Sequence, residues 1–296
     1  MKQLFTIISI LFGCALTINV SAQFNALQTQ YMYNPFVINP ACAGEQGFMS
    51  ATLSARKQWM GFDGAPETAV FIAHTPVKKL NHNIGLLAAA DRVAVMHRTQ
   101  LRAAYVYRIV TPRMNVSAGL APGIIICNNA WSEVQTGSSG DAAFQNNQRD
   151  MRFELGYGVY LNTKRFFIGI SSTAVMKDAP AVNDQPFQVY TGVKLGNPES
   201  FQVMISTLGR AMFNGYYQAD VNVNCLFRNR IGGGIGYRHK DALAVMLHLK
   251  LNEQFAFGYS YDYTISGLQN YSSGSHELLL RYDFGYKVKR NSPRAF

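Results

Sequence analysis

Hydrophobic and polar residues alternate with a period of two along most of this chain, most clearly in its C-terminal half. At residues 255–263, every odd position is aromatic and every even position is Ala, Gly, Ser or Asp. At residues 276–286, one face carries Leu278, Leu280, Tyr282, Phe284 and Tyr286, and the other carries Leu279, Arg281, Asp283 and Gly285. Period-two alternation indicates strands whose two faces meet different environments, so the pattern predicts an all-β protein.

Runs of this kind follow one another without a sharp domain boundary and are separated by residues that favour turns. We predict about fourteen antiparallel strands, at residues 48–59, 68–75, 82–90, 99–110, 114–126, 152–161, 166–172, 188–196, 201–208, 218–227, 231–238, 243–251, 255–263 and 275–286.

The residue types on the second face of these strands distinguish a membrane barrel from a soluble β-sandwich. A sandwich would expose that face to water and favour Lys, Glu and Thr, whereas here it carries Gly, Ala, Ser and Asn with paired charges such as Arg281 and Asp283. A narrow polar barrel interior selects this mixture, and the apolar face with its Tyr and Phe residues would meet lipid. After the N-terminus, no apolar block reaches the length of about twenty residues that a transmembrane helix needs.

The lengths of the connections support a bacterial outer-membrane β-barrel, in which long outer loops alternate with short periplasmic turns. The long connections are 127–151, 173–187, 209–217 and 264–274, and the short ones are 111–113, 162–165, 197–200, 228–230 and 252–254. The outer connection at 239–242 is short and breaks the alternation. An even strand number predicts that the N-terminus and the C-terminus of the chain both lie on the periplasmic side.

Basic and acidic residues are divided between the predicted periplasmic side and the predicted outer loops. The formal net charge is +10. The predicted periplasmic side carries Lys78, Lys79, Arg113, Lys164, Arg165, Arg228, Arg230, Lys287, Lys289, Arg290 and Arg294. The predicted outer loops carry Asp63, Glu67, Glu133, Asp141, Asp150, Asp178, Asp184 and Asp241. The basic rim could attract an acidic periplasmic partner or could simply be solvated. Nucleic acid is excluded as a partner, because the charge is spread over the turns of an exported protein.

The N-terminus predicts export. Lys2 precedes an apolar stretch from Leu4 to Val20, and Val20-Ser21-Ala22 reads as a cleavage site, so residues 1–22 are a predicted signal peptide. Lipidation at Cys14 is disfavoured because the apolar run continues past it. The other cysteines, Cys42, Cys127 and Cys225, form neither a disulfide framework nor a metal spacing, so we expect no cofactor and no metal.

Residues 23–47 fit no strand, since two Asn-Pro pairs and Gly44 force turns. Because this segment precedes the first strand, we expect it to plug or brace the periplasmic mouth of a barrel spanning residues 48–286. A basic tail at 287–296 follows the barrel.

Three motifs between Gln30 and Pro76 carry a family resemblance. They are Gln30-Tyr31-Met32-Tyr33-Asn34-Pro35, Asn39-Pro40-Ala41-Cys42-Ala43-Gly44 and Gln58-Trp59-Met60-Gly61-Phe62-Asp63-Gly64-Ala65-Pro66, followed by His74-Thr75-Pro76. The chain resembles the PorP/SprF family of type IX secretion system outer-membrane proteins from Bacteroidetes, although Cys42 departs from the pattern.

The resemblance implies a non-enzymatic component or accessory of type IX secretion. Such a protein would help to export or anchor a cargo with a C-terminal sorting domain, such as an adhesin used in gliding. It would contact outer-membrane lipid, the cargo and type IX components on the periplasmic side. The candidate partner-binding residues are Tyr31, Asn34, Pro35, Asn39, Pro40, Trp59, Gly61, Phe62 and Asp63. For Trp59, an aromatic anchor at the membrane interface is the alternative.

Two other functions remain open from the residues alone: a porin or hydrophobic-solute transporter, and, more distantly, a barrel lipase. A lipase needs a Ser–His pair at the outer interface, and nothing pairs Ser260 with His248, which both point inward. The glycines at 232–234 and 236 lack the Lys and the helix of a phosphate loop, so they indicate close packing or a bend in the barrel wall.

Overall fold

The computed structural model describes residues 28–77, 81–133, 146–175, 186–212, 215 and 217–285. The predicted signal peptide and the basic tail therefore lie outside the described residues, as do Tyr286 and the turn lysines Lys78 and Lys79. Among the helices in the described ranges, none has the length and apolarity to cross a membrane.

Fourteen antiparallel strands close into one barrel, in which each strand pairs with its sequence neighbours and the last pairs with the first. The strands are β1 Ser50–Lys57, β2 Glu67–Pro76, β3 His82–Val93, β4 Met96–Val110, β5 Met114–Asn129, β6 Gln148–Thr163, β7 Phe166–Val175, β8 Phe187–Asn197, β9 Phe201–Ala211, β10 Tyr217–Phe227, β11 Ile231–Arg238, β12 Ala242–Lys250, β13 Phe255–Thr264 and β14 Ser275–Asp283. The predicted fold class and strand number are confirmed. We call the two ends of the barrel the loop end and the turn end.

In the barrel, alternate residues of each strand point into the lumen and onto the outer wall. In β1, Ser50, Thr52, Ser54 and Arg56 are buried in the lumen, while Leu53 is exposed on the outer wall. Exposed aromatic side chains form two girdles on that wall, as lipid-facing barrels require. The girdle at the loop end includes Phe187, Tyr217, Tyr237 and Tyr263, and the one at the turn end includes Phe166, Phe201, Phe227 and Phe255.

Several strands extend further than the alternation predicts. The largest difference is at β6, which runs from Gln148 to Thr163 where 152–161 was predicted. The strands β3 and β4 also extend, to Val93 and Met96, and leave a two-residue turn. Ala94 in this turn has a φ of 49°, the conformation that tight hairpins need. The outer connection at 239–242 is short, as predicted, and the one at 94–95 is shorter still.

The residues before β1 form three short 3-10 turns, Tyr31–Tyr33, Pro35–Val37 and Pro40–Cys42. The Asn-Pro pairs explain two of them, because proline suits the first position of a helical turn. The Asn39 side chain also accepts a hydrogen bond from the Ala41 amide at 2.9 Å, which caps the third turn. We call residues 28–47 the lumen segment.

We expected the segment to plug or brace the periplasmic mouth. It lies inside the barrel, as a plug would, but it runs along the lumen instead of staying at one mouth. Thr29 contacts Arg56 and Glu277, which lie near the loop end of their strands, whereas Glu45 contacts Asn162 near the turn end. Most of its side chains are buried, and Met32 and Ala41 are fully so. Barrels of about eight strands fill with their own side chains, and those of about sixteen leave an aqueous channel. In this fourteen-stranded barrel, the lumen segment occupies part of the space that the inward side chains leave.

Glycines in the barrel wall allow the segment to approach closely. A Cβ built on Gly119 would lie 2.7 Å from the Ala41 Cα, and one on Gly85 would lie 2.7 Å from the Phe36 ring. These positions therefore exclude larger residues as long as the segment is in place.

We predict that Gly119→Ala destabilises the folded barrel by about 1–3 kcal/mol, because overpacking forces the wall and the segment apart. The matched control is Gly232→Ala, which also faces the lumen, where the nearest atoms to an added methyl lie at 3.4 Å. Urea unfolding of both variants in lipid vesicles measures the difference. Equal stability of the two variants would contradict the packing of Ala41 on β5.

Candidate functional site

The loop end of the lumen holds a buried charge cluster, which consists of Thr29, Arg56, Arg238, Asp262 and Glu277. Arg56 lies 2.8 Å from the Asp262 carboxylate and 3.3 Å from that of Glu277. Arg238 approaches Asp262 at 3.2 Å from the opposite side. All of these side chains are at most 6 % exposed, so each charge depends on its neighbours for compensation.

The lumen segment completes this cluster. The backbone amides of Thr29 and Gln30 donate to the two Glu277 carboxylate oxygens at 2.7 and 3.1 Å. The Thr29 hydroxyl donates to Asp262 at 2.7 Å and accepts from Arg56 at 2.8 Å. Hydrogen bonds to ionised groups are stronger than neutral ones, so the cluster fixes the start of the segment to four strands.

Tyrosines anchor the middle of the segment. Asn222 donates to the Tyr31 hydroxyl at 2.6 Å, and the Tyr33 hydroxyl donates to Asn224 at 3.4 Å. The Tyr33 ring also stacks on His248, with ring centroids 4.3 Å apart.

The glycines of β11 make room for these asparagines. Gly234 and Gly236 lie directly against the Asn224 and Asn222 side chains, where any Cβ would collide. The prediction of close packing is therefore confirmed at Gly234 and Gly236, where it makes room for residues that anchor the lumen segment.

At the turn end, the wall binds the backbone of the segment. Arg108 donates to the carbonyl oxygens of Gly44 at 2.8 Å and Ala43 at 3.3 Å, and Asn83 donates to Ala43 at 3.1 Å. Asn162 donates to the Glu45 carboxylate at 2.6 Å. The segment is therefore held at both ends by polar groups of the wall.

The structure divides the sequence-predicted candidate residues into two groups. Five lie in the lumen segment and are buried: Tyr31, Asn34, Pro35, Asn39 and Pro40. They contact the inner wall; Asn39, for example, donates to the Val159 carbonyl at 3.0 Å. In this conformation a partner outside the barrel cannot reach them.

The other four, Trp59, Gly61, Phe62 and Asp63, lie in the loop between β1 and β2. This loop is braced on both sides: Met60 exchanges backbone hydrogen bonds with Gly274 and Ser273, and Ala94 donates to the Gly64 carbonyl. Trp59 is half-buried, whereas Gly61, Phe62 and Asp63 are exposed. The loop therefore presents a fixed surface that includes one large exposed aromatic side chain.

The described basic side chains in the short turns are exposed. Arg113, Lys164, Arg165, Arg228 and Arg230 all lie in or beside the short turns. The loop end is more mixed than the sequence suggested, because Lys57, Arg92 and Lys240 lie there beside the acidic residues.

Sequence reasoning missed the charge cluster. The cluster residues that belong to the wall are Arg56, Arg238, Asp262 and Glu277. Each lies on the inward face of a strand near its loop end, and this position in the alternation is the only sign of the cluster that the sequence offers. The pairing of Arg56 with Asp262 and Glu277 depends on barrel closure, which joins residues more than 200 positions apart.

The described residues offer little support for catalysis. His248 stacks on Tyr33, and Ser260 lies opposite Met246 in the register. Ser50 does lie 3.3 Å from His74, but both are buried in the lumen, far from the outer interface that a barrel lipase uses. No cluster of potential metal ligands occurs in the described ranges, where Cys42, Cys127 and Cys225 form no disulfide.

Comparison with known families matches residues 20–282 to the family described as type IX secretion system membrane protein PorP/SprF. No curated protein gives a significant match.

Solved outer-membrane barrels share the architecture. The CymD monoaromatic hydrocarbon channel aligns with a TM-score of 0.50 and 12% identity, covering 89% of this chain and 94% of that one. The TodX deltaS2S3 mutant monoaromatic hydrocarbon channel aligns with a TM-score of 0.52 and 8% identity, covering 84% and 93%. Omp33 of Acinetobacter baumannii gives a TM-score of 0.49 at 10% identity, covering 81% and 100%. At these identities the likeness concerns the fold alone.

We predict that Arg56→Met destabilises the barrel by about 3–5 kcal/mol, because it leaves Asp262 and Glu277 short of a buried counter-charge. Hydrogen exchange should accelerate at the Thr29 and Gln30 amides, which donate to Glu277. The control is Lys57→Met in the same strand, whose exposed ion pair with Glu67 contributes less than about 1 kcal/mol. Unchanged exchange at Thr29 and Gln30 in Arg56→Met would contradict the role assigned to the cluster.

Proposed function

Because the chain belongs to the PorP/SprF family of type IX secretion system membrane proteins, we propose that it is a non-enzymatic accessory that acts by binding. It would help a cargo protein with a C-terminal sorting domain, such as an adhesin of the gliding type, to reach or stay on the cell surface. The signal peptide would direct it to the outer membrane, with the loop end facing the exterior.

The filled lumen is the observation that carries this proposal. The lumen segment is bound to the wall at both ends and in its middle, so the barrel interior is occupied by its own chain. A cargo chain in the lumen would compete with the segment for these contacts. Contact with cargo is therefore assigned to the loop end, outside the lumen.

The loops joining β1 to β2 and β13 to β14 supply a surface for that contact. They are tied together through Met60, Ser273 and Gly274, and they expose Phe62 and Tyr271. Exposed aromatic side chains on a rigid support are typical of residues that dominate binding energy at protein interfaces.

The turn end offers a different surface. Its exposed arginines and lysines, with few carboxylates nearby, suit an acidic surface on the periplasmic components of the secretion system. Binding at the two ends would place the barrel between the machinery and the cargo.

A diffusion channel or solute transporter is the alternative function. The names of CymD and TodX describe monoaromatic hydrocarbon channels, but their identities of 12% and 8% concern the fold only. An occupied lumen disfavours free diffusion, so we rank this alternative second.

Deleting the gene tests the proposal. We expect the surface proteome to lose one cargo protein with a C-terminal sorting domain, or a small set of them, and re-expression should restore it. An unchanged surface proteome would overturn the accessory role.

A variant with two substitutions at the loop end tests cargo binding while the barrel itself stays in the membrane. Phe62→Ser combined with Tyr271→Ser should lower the amount of surface cargo at least about tenfold, because interface aromatics contribute about 2 kcal/mol each. The control is Leu251→Ser, which has the same 69% exposure as Tyr271 but lies at the turn end. Equal cargo levels in the two variants, with equal amounts of barrel in the membrane, would contradict contact at the loop end.

A further inference from the structure

The girdle of aromatic residues at the loop end is interrupted across β14, β1, β2, β3 and β4. Within these five strands, the outward-facing residues nearest the loop end are His276, Lys57, Glu67, Arg92 and His97. Each is the direct cross-strand partner of the next, so they form one continuous row of ionisable side chains. We call this row the charged row.

Small residues lie directly below the charged row. The next outward-facing partners along the same strands are Leu278, Ala55, Ala69, Ala90 and Thr99. Below them the wall becomes bulky and apolar again, with Leu53, Phe71 and Leu101 exposed. Three adjacent alanines between charged and bulky rows leave a depression in the outer wall.

This depression is a groove of about 520 Å³, lined by residues of both rows. Its volume lies within the range of about 300–1,000 Å³ that is typical of ligand sites. In β1 to β4, the lining residues that project outward flank one inward residue, such as Thr68 between Glu67 and Ala69. The strand β14 contributes only the outward His276 and Leu278. The groove therefore opens on the outer wall of the barrel and is separate from the lumen.

The charges of the row are not balanced. Lys57 and Glu67 form an ion pair at 2.7 Å and neutralise one another. Arg92 adds a further positive charge, and among the described residues no carboxylate lies within ion-pair distance of it. Arginine is suited to phosphate, because its planar guanidinium can donate two parallel hydrogen bonds.

We propose that this groove binds a membrane lipid with an anionic phosphate headgroup. The headgroup would meet Arg92 at the loop end, beside the Lys57–Glu67 pair, and an acyl chain would lie over Ala55, Ala69 and Ala90. Both halves of such a lipid match their surroundings: the charged row borders the loops, and the alanines continue into the apolar wall that faces hydrocarbon.

Native mass spectrometry of the full-length barrel in a neutral detergent tests the proposal. The probes are dioleoyl phosphatidylglycerol and dioleoyl phosphatidylcholine, which share their acyl chains and differ in net charge. We expect one phosphatidylglycerol to bind about tenfold more tightly than phosphatidylcholine, which corresponds to ~1.4 kcal/mol. Inorganic phosphate at millimolar concentration should not displace it, because it lacks the acyl chain. Displacement would reassign the site to free phosphate and overturn the proposal.

Two substitutions probe the two halves of the groove. Ala69→Trp should fill it and reduce phosphatidylglycerol binding about tenfold, and Arg92→Gln should make the two lipids bind equally. The control for Ala69→Trp is Ala219→Trp, because Ala219 also faces outward as the third residue from the loop end of its strand. The control for Arg92→Gln is Arg228→Gln, because Arg228 lies at the turn end. Both controls should bind like the unmodified protein.

Equal affinity for the two lipids in the unmodified barrel would overturn the proposal, and so would equal effects of Ala69→Trp and Ala219→Trp. Absence of tight lipid binding would also overturn it and would leave the groove to a protein partner. Heat-modifiable migration in electrophoresis confirms that each variant is a folded barrel before its affinity is read.

Discussion

The rest of the structure depends on the contact between the inward polar face of the wall and the chain's own N-terminal segment. Fourteen strands enclose more space than inward side chains fill, and those side chains include arginines, carboxylates and asparagines that would be costly to bury unpaired. The lumen segment meets both needs: it occupies the space, and its Thr29 and Gln30 amides satisfy Glu277. The glycines at 119, 234 and 236 are consequences of the same contact, because each leaves room for the segment or for its anchors.

This contact also decides where function can lie. With the interior occupied, the barrel offers partners its two ends and its outer wall. The braced loop at the loop end, the basic turns at the other end and the groove on the wall are three separate surfaces with different chemistry: aromatic, cationic, and mixed apolar and cationic. A protein that joins secreted cargo to membrane-bound machinery needs surfaces of this kind more than it needs a pore.

Much of the fold could be predicted from the sequence because period-two alternation is a local property. All fourteen strands were found, and the errors concern their ends, as at Val93 and Met96, where polar residues continue a strand beyond its apolar run. The course of the lumen segment could not be predicted, because it depends on contacts such as Thr29 with Asp262, separated by 233 residues. The Asn-Pro motifs identified a turn-rich segment, yet nothing local shows that Tyr31 and Asn39 point into a closed barrel. The groove was missed because it arises from the register of five strands, not from any one of them.

Single-channel recording in planar bilayers tests the closed lumen most directly. The full-length protein is compared with a protein that lacks residues 28–46 but keeps β1 to β14. If the lumen segment blocks the interior, the full-length barrel stays closed to small ions, and the shortened barrel opens with a steady conductance. Equal, steady conductance of the two proteins would contradict the account, because it would mean that the segment does not block the interior in the membrane.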